Sequence, residues 1–524
     1  MMTGCFLEVL MFNDLIKRIL TARVYDVAIE SPVHPAPFLS SRFGRPVLFK
    51  REDLQPVYSF KCRGAYNRMM QIPREVLAKG VICASAGNHA QGVALGAQKL
   101  KIPAVIVMPT TTPAIKVRSA RARGAQVILH GDSFDDAFAR SQELISEYGY
   151  TFLHPFDDLD VIAGQGTVAV ELLRQVTRPI EAIFIPVGGG GLAAGMAAYI
   201  KYVRPEIKVI GVEPEDAACL AAAMAADSRV VLPFVGLFAD GVAVKQIGEH
   251  TFNVLRHTVD EVITVTTDEI CAAVKDVFDD VRSVNEPAGA LSVAGLKKYA
   301  ERGGSGDALV AILSGANVNF DRIRHIAERA EVGEGREAIL AVTIPEQPGA
   351  FKAFCEQLGD RNITEFNYRY SDSSRAYIFV GVTTDPTSDD RTHLVARLHQ
   401  AGLPVIDMTE NELAKLHIRH MVGGRSPEAG TEQVFRFEFP ERPGALLKFL
   451  NIIGAKWNIS AFHYRNHGAA YGRVLVAFQA PVSERDELTA HFDALGYTYF
   501  DEAENPAVRL FLQSEVAGSG VMPC

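Results

Sequence analysis

Several things are scarce in this 524-residue sequence. No run of eighteen or more apolar residues occurs, so no membrane-spanning segment is expected. Positive charge is not in excess: 53 Lys+Arg stand against 62 Asp+Glu, a net charge of -9. A mildly acidic chain lacks the electrostatic footprint of a nucleic-acid binder, and no such partner is expected. Seven cysteines (Cys5, Cys62, Cys83, Cys219, Cys271, Cys355 and Cys524) are dispersed, with no C-x-x-C pair. That pattern argues against a disulfide framework or a zinc site and suits a reducing compartment, the cytoplasm. The opening MMTGCFLEVLMF carries Glu8 and lacks a basic n-region and a small-residue cleavage site, so it does not read as a secretory signal. Apolar content is not lacking: 48% hydrophobic against 22% charged excludes disorder as the main theme. The length exceeds what one hydrophobic core serves, so two or more domains are expected.

From about 45 to 320, β-branched runs alternate with Ala-rich segments. The runs predict strands at Val47–Lys50, Val81–Ala84, Ala104–Val107, Gln126–Leu129, Ile183–Val187, Val209–Val212 and Leu309–Leu313. Helical spacing lies between them, as in Gly92–Leu100 and Leu192–Val203. Short buried strands alternating with helices predict an α/β domain with a mostly parallel sheet, with ligands at the carboxyl ends of its strands.

Past Val332-Gly333-Glu334-Gly335 the chain repeats itself. Pro345-Glu346-Gln347-Pro348-Gly349-Ala350 matches Pro440-Glu441-Arg442-Pro443-Gly444-Ala445, and Asn362-Ile363-Thr364 matches Asn458-Ile459-Ser460. Phe366, Tyr368 and Arg369 match Phe462, Tyr464 and Arg465. Two copies of one supersecondary unit are implied, each reading strand, Pro-Gly turn, helix (Ala350–Leu358; Ala445–Ile453), then strands. The expected domains are 1–335, 336–430 and 431–524. The repeat resembles a pair of ACT-like regulatory modules, which bind amino acids between βαββαβ units. A repeat that only builds an oligomer interface would look the same.

Four segments of the first domain carry chemistry. Ser59-Phe60-Lys61-Cys62-Arg63-Gly64-Ala65 sets a lysine between an aromatic residue and a small-residue turn, where its amine can condense with an aldehyde cofactor and later act as a base. A solvated loop lysine is the bland reading. Ser85-Ala86-Gly87-Asn88-His89-Ala90-Gln91-Gly92 follows a strand and opens a helix, whose free N–H groups form a site for a carboxylate. It also reads as an ordinary helix start, with Asn88 as cap, Gly92 and Gly96 as close-packing positions and His89 as a buried side chain. Gly188-Gly189-Gly190-Gly191-Leu192 lets the backbone wrap a phosphate at a helix N-terminus. Gly188, Gly190 and Ala193 also fit a dinucleotide fingerprint, with Glu213 at the spacing expected of a ribose-binding carboxylate, so an NAD-dependent oxidoreductase is a rival. Ser314, in Ile312-Leu313-Ser314-Gly315-Ala316-Asn317, ends another strand; the bland reading is a turn serine.

Together these segments resemble the fold-type II pyridoxal-phosphate enzymes. With the tail repeat, the resemblance extends over essentially the whole chain and is closest to the biosynthetic threonine ammonia-lyase family. Further matching stretches are Ala163-Gly164-Gln165-Gly166-Thr167, Gly236–Val244 and Glu286-Pro287-Ala288-Gly289-Ala290. Cys62 departs from the pattern, since relatives more often carry an aliphatic residue there. The resemblance implies a tryptophan synthase β-like catalytic domain with an α+β regulatory tail.

It further implies that Lys61 is the catalytic residue and holds pyridoxal 5'-phosphate, with Phe60 packed nearby. Asn88 would hydrogen-bond the ring hydroxyl, Gly188, Gly189, Gly190, Gly191 and Leu192 would hold the phosphate, and Ser314 would meet the pyridine nitrogen. A hydroxyl there supplies no charge, so the ring is a weaker electron sink suited to prompt β-elimination. Ser85, Gly87, Asn88 and His89 would bind the substrate. The implied reaction is deamination of L-threonine to 2-oxobutanoate and ammonia, the committed step of isoleucine synthesis. Isoleucine, and valine as a second effector, would bind at Tyr368-Arg369 and Tyr464-Arg465, in a homotetramer. Some relatives bind a divalent cation near the Glu213 position with an Asp six residues on; Cys219 stands there, so no metal is expected. A catabolic serine/threonine dehydratase and a non-catalytic amino-acid sensor are the other readings; the double tail separates the chain from the first, and the intact Lys61, Asn88, glycine run and Ser314 from the second.

Overall fold

The computed structural model describes residues 12–345, 350–359, 361–368, 374–386, 388–420, 432–440, 445–453, 456–465 and 471–512. The chain divides into two compact units, Met1–Ala330 and Glu331–Cys524.

Among the described residues, the first unit carries ten strands: β1 (Val33–Pro35), β2 (Val47–Arg51), β3 (Val81–Ala84), β4 (Ala104–Met108), β5 (Gln126–Leu129), β6 (Thr151–Phe152), β7 (Ile180–Pro186), β8 (Lys208–Pro214), β9 (Glu261–Val265) and β10 (Ala308–Leu313). They form a six-stranded sheet in the order β1-β2-β10-β7-β8-β9 and a four-stranded sheet in the order β5-β4-β3-β6. Every pairing is parallel except that of β1 with β2. β10, at the middle of the larger sheet, is buried at every position, as is β3. Helices cover both faces of such strands, which is why they read as unbroken apolar runs. The seven strands expected from sequence are all present. β1, β6 and β9 were not expected; β1 and β6 contain no fully buried position, and β9 alternates, so none offers an unbroken apolar run.

The helices that position the site are α1 (Lys61–Met70), α2 (Asn88–Leu100), α3 (Leu159–Gln175), α4 (Gly191–Val203), α5 (Cys219–Ala226), α6 (Glu249–Thr258) and α7 (Pro287–Ala300). The small residues after Lys61 are not a turn, as the sequence suggested: Cys62–Ala65 are the first residues of α1. Gly64 belongs in that helix because α3 crosses it closely. A Cβ on Gly164 would lie 2.7 Å from the Gly64 Cα, and one on Gly64 would lie 2.6 Å from the Val161 carbonyl. On another side, a Cβ on Gly92 of α2 would lie 2.9 Å from the Lys61 carbonyl. Two neighbouring helices thus close on the first turn of α1, and glycines make the approach possible.

The second unit contains β11 (Glu337–Pro345), α8 (Ala350–Leu358), β12 (Ile363–Tyr368), β13 (Arg375–Thr383), α9 (Asp390–Gln400) and β14 (Val405–Asp407), then β15 (Glu432–Pro440), α10 (Ala445–Ile453), β16 (Asn458–Arg465), β17 (Tyr471–Gln479), α11 (Arg485–Leu495) and β18 (Tyr499–Asp501). Each half is a βαββαβ unit with an antiparallel sheet, ordered β12-β13-β11-β14 and β16-β17-β15-β18. Even the irregularity repeats: the register slips between Ile363 and Glu365 in one half and between Ile459 and Ala461 in the other. Ile339 and Phe379 of the first half share an apolar cluster with Val434 and Leu475 of the second. The Pro-Gly turns, at 346–349 and 441–444, lie outside the described residues, as does Arg369. Tyr368 ends β12 opposite Ile378, while Tyr464 and Arg465 end β16 opposite Val474 and Arg473.

Candidate active site

A cavity opens at the carboxyl ends of β7 and β10, where ligands of parallel sheets sit. Its lining brings together Phe60, Lys61, Asn88, the glycine run 188–191, Leu192 and Ser314, residues drawn from four separate stretches of sequence.

Lys61 reaches this place through β10. Ser59 bridges to Gly315, Phe60 N donates to Ser314 O at 3.3 Å, and Ala316 N donates to Tyr58 O at 2.9 Å. Tyr58 turns the chain into that bridge with a left-handed backbone, φ 55°. The Lys61 amine donates to the Pro155 carbonyl at 2.9 Å and lies 5.3 Å from the centre of the Phe60 ring. Burial pushes the ammonium down to about 8, against the opposing charge of Glu286.

The glycine run joins β7 to α4. Gly190 has φ 91° and caps the helix. A Cβ on Gly188 would lie 2.8 Å from the Val242 Cα, and one on Gly189 would fall 2.2 Å from the Phe156 ring. The loop therefore tolerates no side chain, and the first N–H groups of α4 have no acceptor within the helix. Its far side is fastened to α6: Thr251 Oγ1 donates to Gly189 O at 2.8 Å. Asp157 in turn caps α6, accepting from the backbone N–H groups of Glu249, His250 and Thr251 at 2.9, 2.8 and 3.2 Å.

Asn88 is not the helix cap that one reading of the sequence made it. Gly87 holds the cap position and no side chain caps α2. The Asn88 side chain instead donates from Nδ2 to Glu286 at 2.6 Å and accepts at Oδ1 from Asn317 at 2.6 Å. Gly92 and Gly96 do pack closely, Gly96 against Met69. Ser85, Gly87 and His89 are not among the lining residues. Gly87 N donates to Ser85 Oγ at 3.3 Å, and a Cβ on Gly87 would meet nothing within 4 Å, so this loop borders open space. His89 is turned into the core: it is buried, its Nε2 lies 2.8 Å from the Leu153 carbonyl, and burial followed by the nearby Lys61 pushes it down to about 3. An imidazole there is neutral and fixed. Ser314 Oγ donates to the Ala288 carbonyl at 3.2 Å.

Sequence reasoning gave no role to Phe156, Gly241, Val242, Glu286 or Ala288, which also line the cavity. The last four lie in the stretches Gly236–Val244 and Glu286–Ala290. Phe156 had no signal, because its place depends on the His154-to-Asp157 corner: His154 Nδ1 accepts from Phe156 N and Asp157 N at 3.3 and 2.8 Å.

The dinucleotide rival fails at Glu213. That carboxylate is fully buried and accepts from Leu220 N and Ala221 N at 2.7 and 2.8 Å, capping α5, so it is not presented to a ribose. Burial pushes it up to about 7. The Cys219 thiol donates toward the Gly188 carbonyl at 3.4 Å. Among the described residues no group of three or more His, Cys, Asp or Glu is arranged to hold a metal ion. No helix among them is long and apolar enough to cross a membrane.

Residues 24–315 match the family described as pyridoxal-phosphate dependent enzyme. Residues 328–418 and 423–512 each match the C-terminal regulatory domain of threonine dehydratase. An L-threonine dehydratase biosynthetic IlvA from Burkholderia multivorans is 58% identical over 504 residues, covering 95% of this chain and 99% of that protein. One of the same name from Escherichia coli is 53% identical over 500 residues, 95% of this chain and 97% of that one. The chain belongs to the biosynthetic threonine dehydratase family of pyridoxal-phosphate-dependent enzymes. The chain is similar in fold to the processed form of threonine deaminase isoform 2 from Solanum lycopersicum, with a TM-score of 0.60 and 48% identity over 61% of this chain and 88% of that one. As a family member the chain is a pyridoxal-phosphate-dependent lyase with a doubled regulatory domain.

The cavity fits the family's cofactor on its own chemistry. An aldehyde calls for an amine that gives up its proton near neutrality, and Lys61 is such an amine. A phosphate calls for backbone donors with no side chain in the way, and the loop at 188–191 offers both.

Beneath Lys61 lies a buried charge network. Arg63, two residues on, pairs with Glu52 at 2.8 Å and Glu171 at 2.6 Å, and Lys50 pairs with Glu171 at 2.7 Å, all four side chains fully out of solvent. Burial alone would lower the Arg63 guanidinium; Glu52 and Glu171 more than offset it. Arg63→Met would leave both carboxylates with Lys50 as their remaining cation in this network. The expected loss is about 3–5 kcal/mol of stability, read as a lower thermal midpoint with weaker cofactor retention.

Proposed function

We propose that this chain deaminates L-threonine to 2-oxobutanoate and ammonia, the committed step of isoleucine synthesis, under feedback control by isoleucine. The reading is carried by one observation: a lysine amine with a lowered proton affinity and a glycine-only helix entrance line the same cavity. Catalysis would be assigned to 1–335 and regulation to the modules 336–430 and 431–524.

Bound through Lys61, pyridoxal phosphate supplies the electron sink that acidifies the substrate Cα–H and lets the β-hydroxyl depart. The remaining work belongs to the protein. Gly188 to Leu192 would hold the phosphate by backbone N–H groups and the helix field. Asn88 would hydrogen-bond the ring hydroxyl, and Ser314 would meet the pyridine nitrogen with a group that brings no charge. The loop from Ser85 to Gly87 takes the substrate carboxylate at the entrance to α2. His89, neutral and bonded to the Leu153 carbonyl, braces that loop. Lys61, whose proton affinity is lowered toward neutrality by burial, would take the α-proton. Phe60 and Phe156 keep water from the reacting atoms.

In the tail, isoleucine would bind near Tyr368-Arg369 or Tyr464-Arg465, with valine as the opposing effector at the other site. The equivalence of β12 and β16, down to the same register slip, supports twin sites. Control requires each effector to prefer one state of the enzyme. A homotetramer in the cytoplasm is the assembly and location that go with this reading.

Lys61→Ala is expected to lose the visible absorbance of the bound cofactor and to form 2-oxobutanoate at least ~100-fold more slowly; unchanged absorbance and turnover would contradict the assignment. Isoleucine is expected to inhibit the full-length enzyme, with Arg465→Ala needing at least about tenfold more of it for a loss near 1.4 kcal/mol of binding. Equal isoleucine sensitivity in wild type and variant would count against this effector site.

A further inference from the structure

Among the described residues lining the cavity, two are ionisable, Lys61 and Glu286. Glu286 has no part in the assignments above. It stands between β10 and α7: its N–H donates to Gly315 O at 3.2 Å, and its carbonyl accepts from Gly289 N and Ala290 N at 2.8 and 3.1 Å. The side chain is held as firmly. Asn88 Nδ2 donates to it at 2.6 Å, and a Cβ on Gly315 would fall 2.2 Å from its Oε1. Asn88 is gripped from its other end by Asn317, whose Nδ2 also donates to the Val57 carbonyl at 2.8 Å. The Asn88 amide therefore cannot turn over without breaking both bonds.

The charges around Glu286 come from several elements. Asp240, in the loop 236–244, pairs with Lys116 of the helix Ala114–Arg121 at 2.6 Å and with Arg322 of the helix Phe320–Gly333 at 3.3 Å. Lys61 stands at the start of α1. Burial, then Asp240, pushes the Glu286 carboxyl up to about 7, while the Asn88 bond, Lys116 and Arg322 pull it down. The coupling to Lys61 runs the other way: the Glu286 charge opposes the effect of burial on the lysine.

We propose that Glu286 is a positioning residue for the reaction, fixing the Asn88 amide at the edge of the cofactor site and placing a carboxyl group on the same cavity as the Lys61 nitrogen. The proposal rests on the reading of Lys61 as the cofactor lysine. A carboxylate near a nitrogen in a desolvated cavity favours that nitrogen's charged form. Take the charge away and the proton leaves at lower pH.

Glu286→Gln keeps an oxygen that accepts from Asn88 and removes the charge. The test is a pH titration of the visible absorbance of the bound cofactor in the full-length holoenzyme, between about pH 6 and 9, beside the pH profile of kcat/KM. Glu286→Gln is expected to move the spectral midpoint down by at least about half a unit, with the profile following. Glu286→Asp, which keeps the charge, is expected to hold the wild-type midpoint. Identical spectra at every pH in wild type and Glu286→Gln would overturn the proposal, as would an aspartate variant displaced as far as the glutamine one. A wild-type spectrum that survives unchanged in Lys61→Ala would instead overturn the reading of Lys61, whatever Glu286 does.

Discussion

An ammonium group held away from water is costly, and folding recovers that cost only if the proton is partnered or given up. The amine of Lys61, on a half-buried residue at the cavity wall, is close to that position. Its surroundings offer one carbonyl, that of Pro155, and one carboxylate, that of Glu286, so its proton affinity falls toward neutrality without vanishing. Nucleophile and base chemistry both need an amine in this range. Much of the first unit can be understood as the scaffold that keeps the group there.

That scaffold is built from close approach. Glycines at 64, 92 and 164 allow α2 and α3 to close on the first turn of α1, so the lysine backbone is fixed from two sides. The bridge between Ser59 and Gly315 ties the same turn to the end of β10. Below it, Arg63, Lys50, Glu52 and Glu171 satisfy one another in the dry interior; breaking such a set costs more than the set contributes. Across the cavity, the glycine run is pinned by Thr251 and backed by Phe156 at the start of α4, whose first N–H groups have no acceptor within the helix. The second unit obeys a simpler rule. Two βαββαβ copies bury apolar residues of both in one cluster, and their outer strands β12 and β16 remain equivalent.

What could be read from sequence followed from how local the signal was. Buried parallel strands are visible because both faces are apolar, so β2, β3, β4, β7, β8 and β10 stood out; β5, which has no fully buried position, showed through its apolar run Val127-Ile128-Leu129. The short β1 and β6 and the alternating β9 did not. The tail helices Ala350–Leu358 and Ala445–Ile453 were legible because the repeat marks their starts twice. Lys61, Asn88, the glycine run and Ser314 were singled out because each sits in a compact motif, and the fold brings them to one cavity. The turn expected after Lys61 is a helix, since Gly64 serves an interhelical contact that no single stretch reveals. Asn88 looked like a cap because an Asn at a helix start usually is one; its partners are 198 and 229 residues away. Phe156 and Glu286 were missed for the same reason. Their places in the cavity are set by long-range geometry, in one case a corner made by His154, in the other a junction of strand end and helix start.

The central claim is that one amine, that of Lys61, carries the cofactor. Reduction of the holoenzyme with borohydride, followed by proteolysis and mapping of the labelled peptide, tests it most directly. The account predicts a single pyridoxyl-modified lysine, in the peptide containing Phe60 and Cys62. A label on any other lysine, or a protein that binds the cofactor yet gives no reduced adduct, would contradict it.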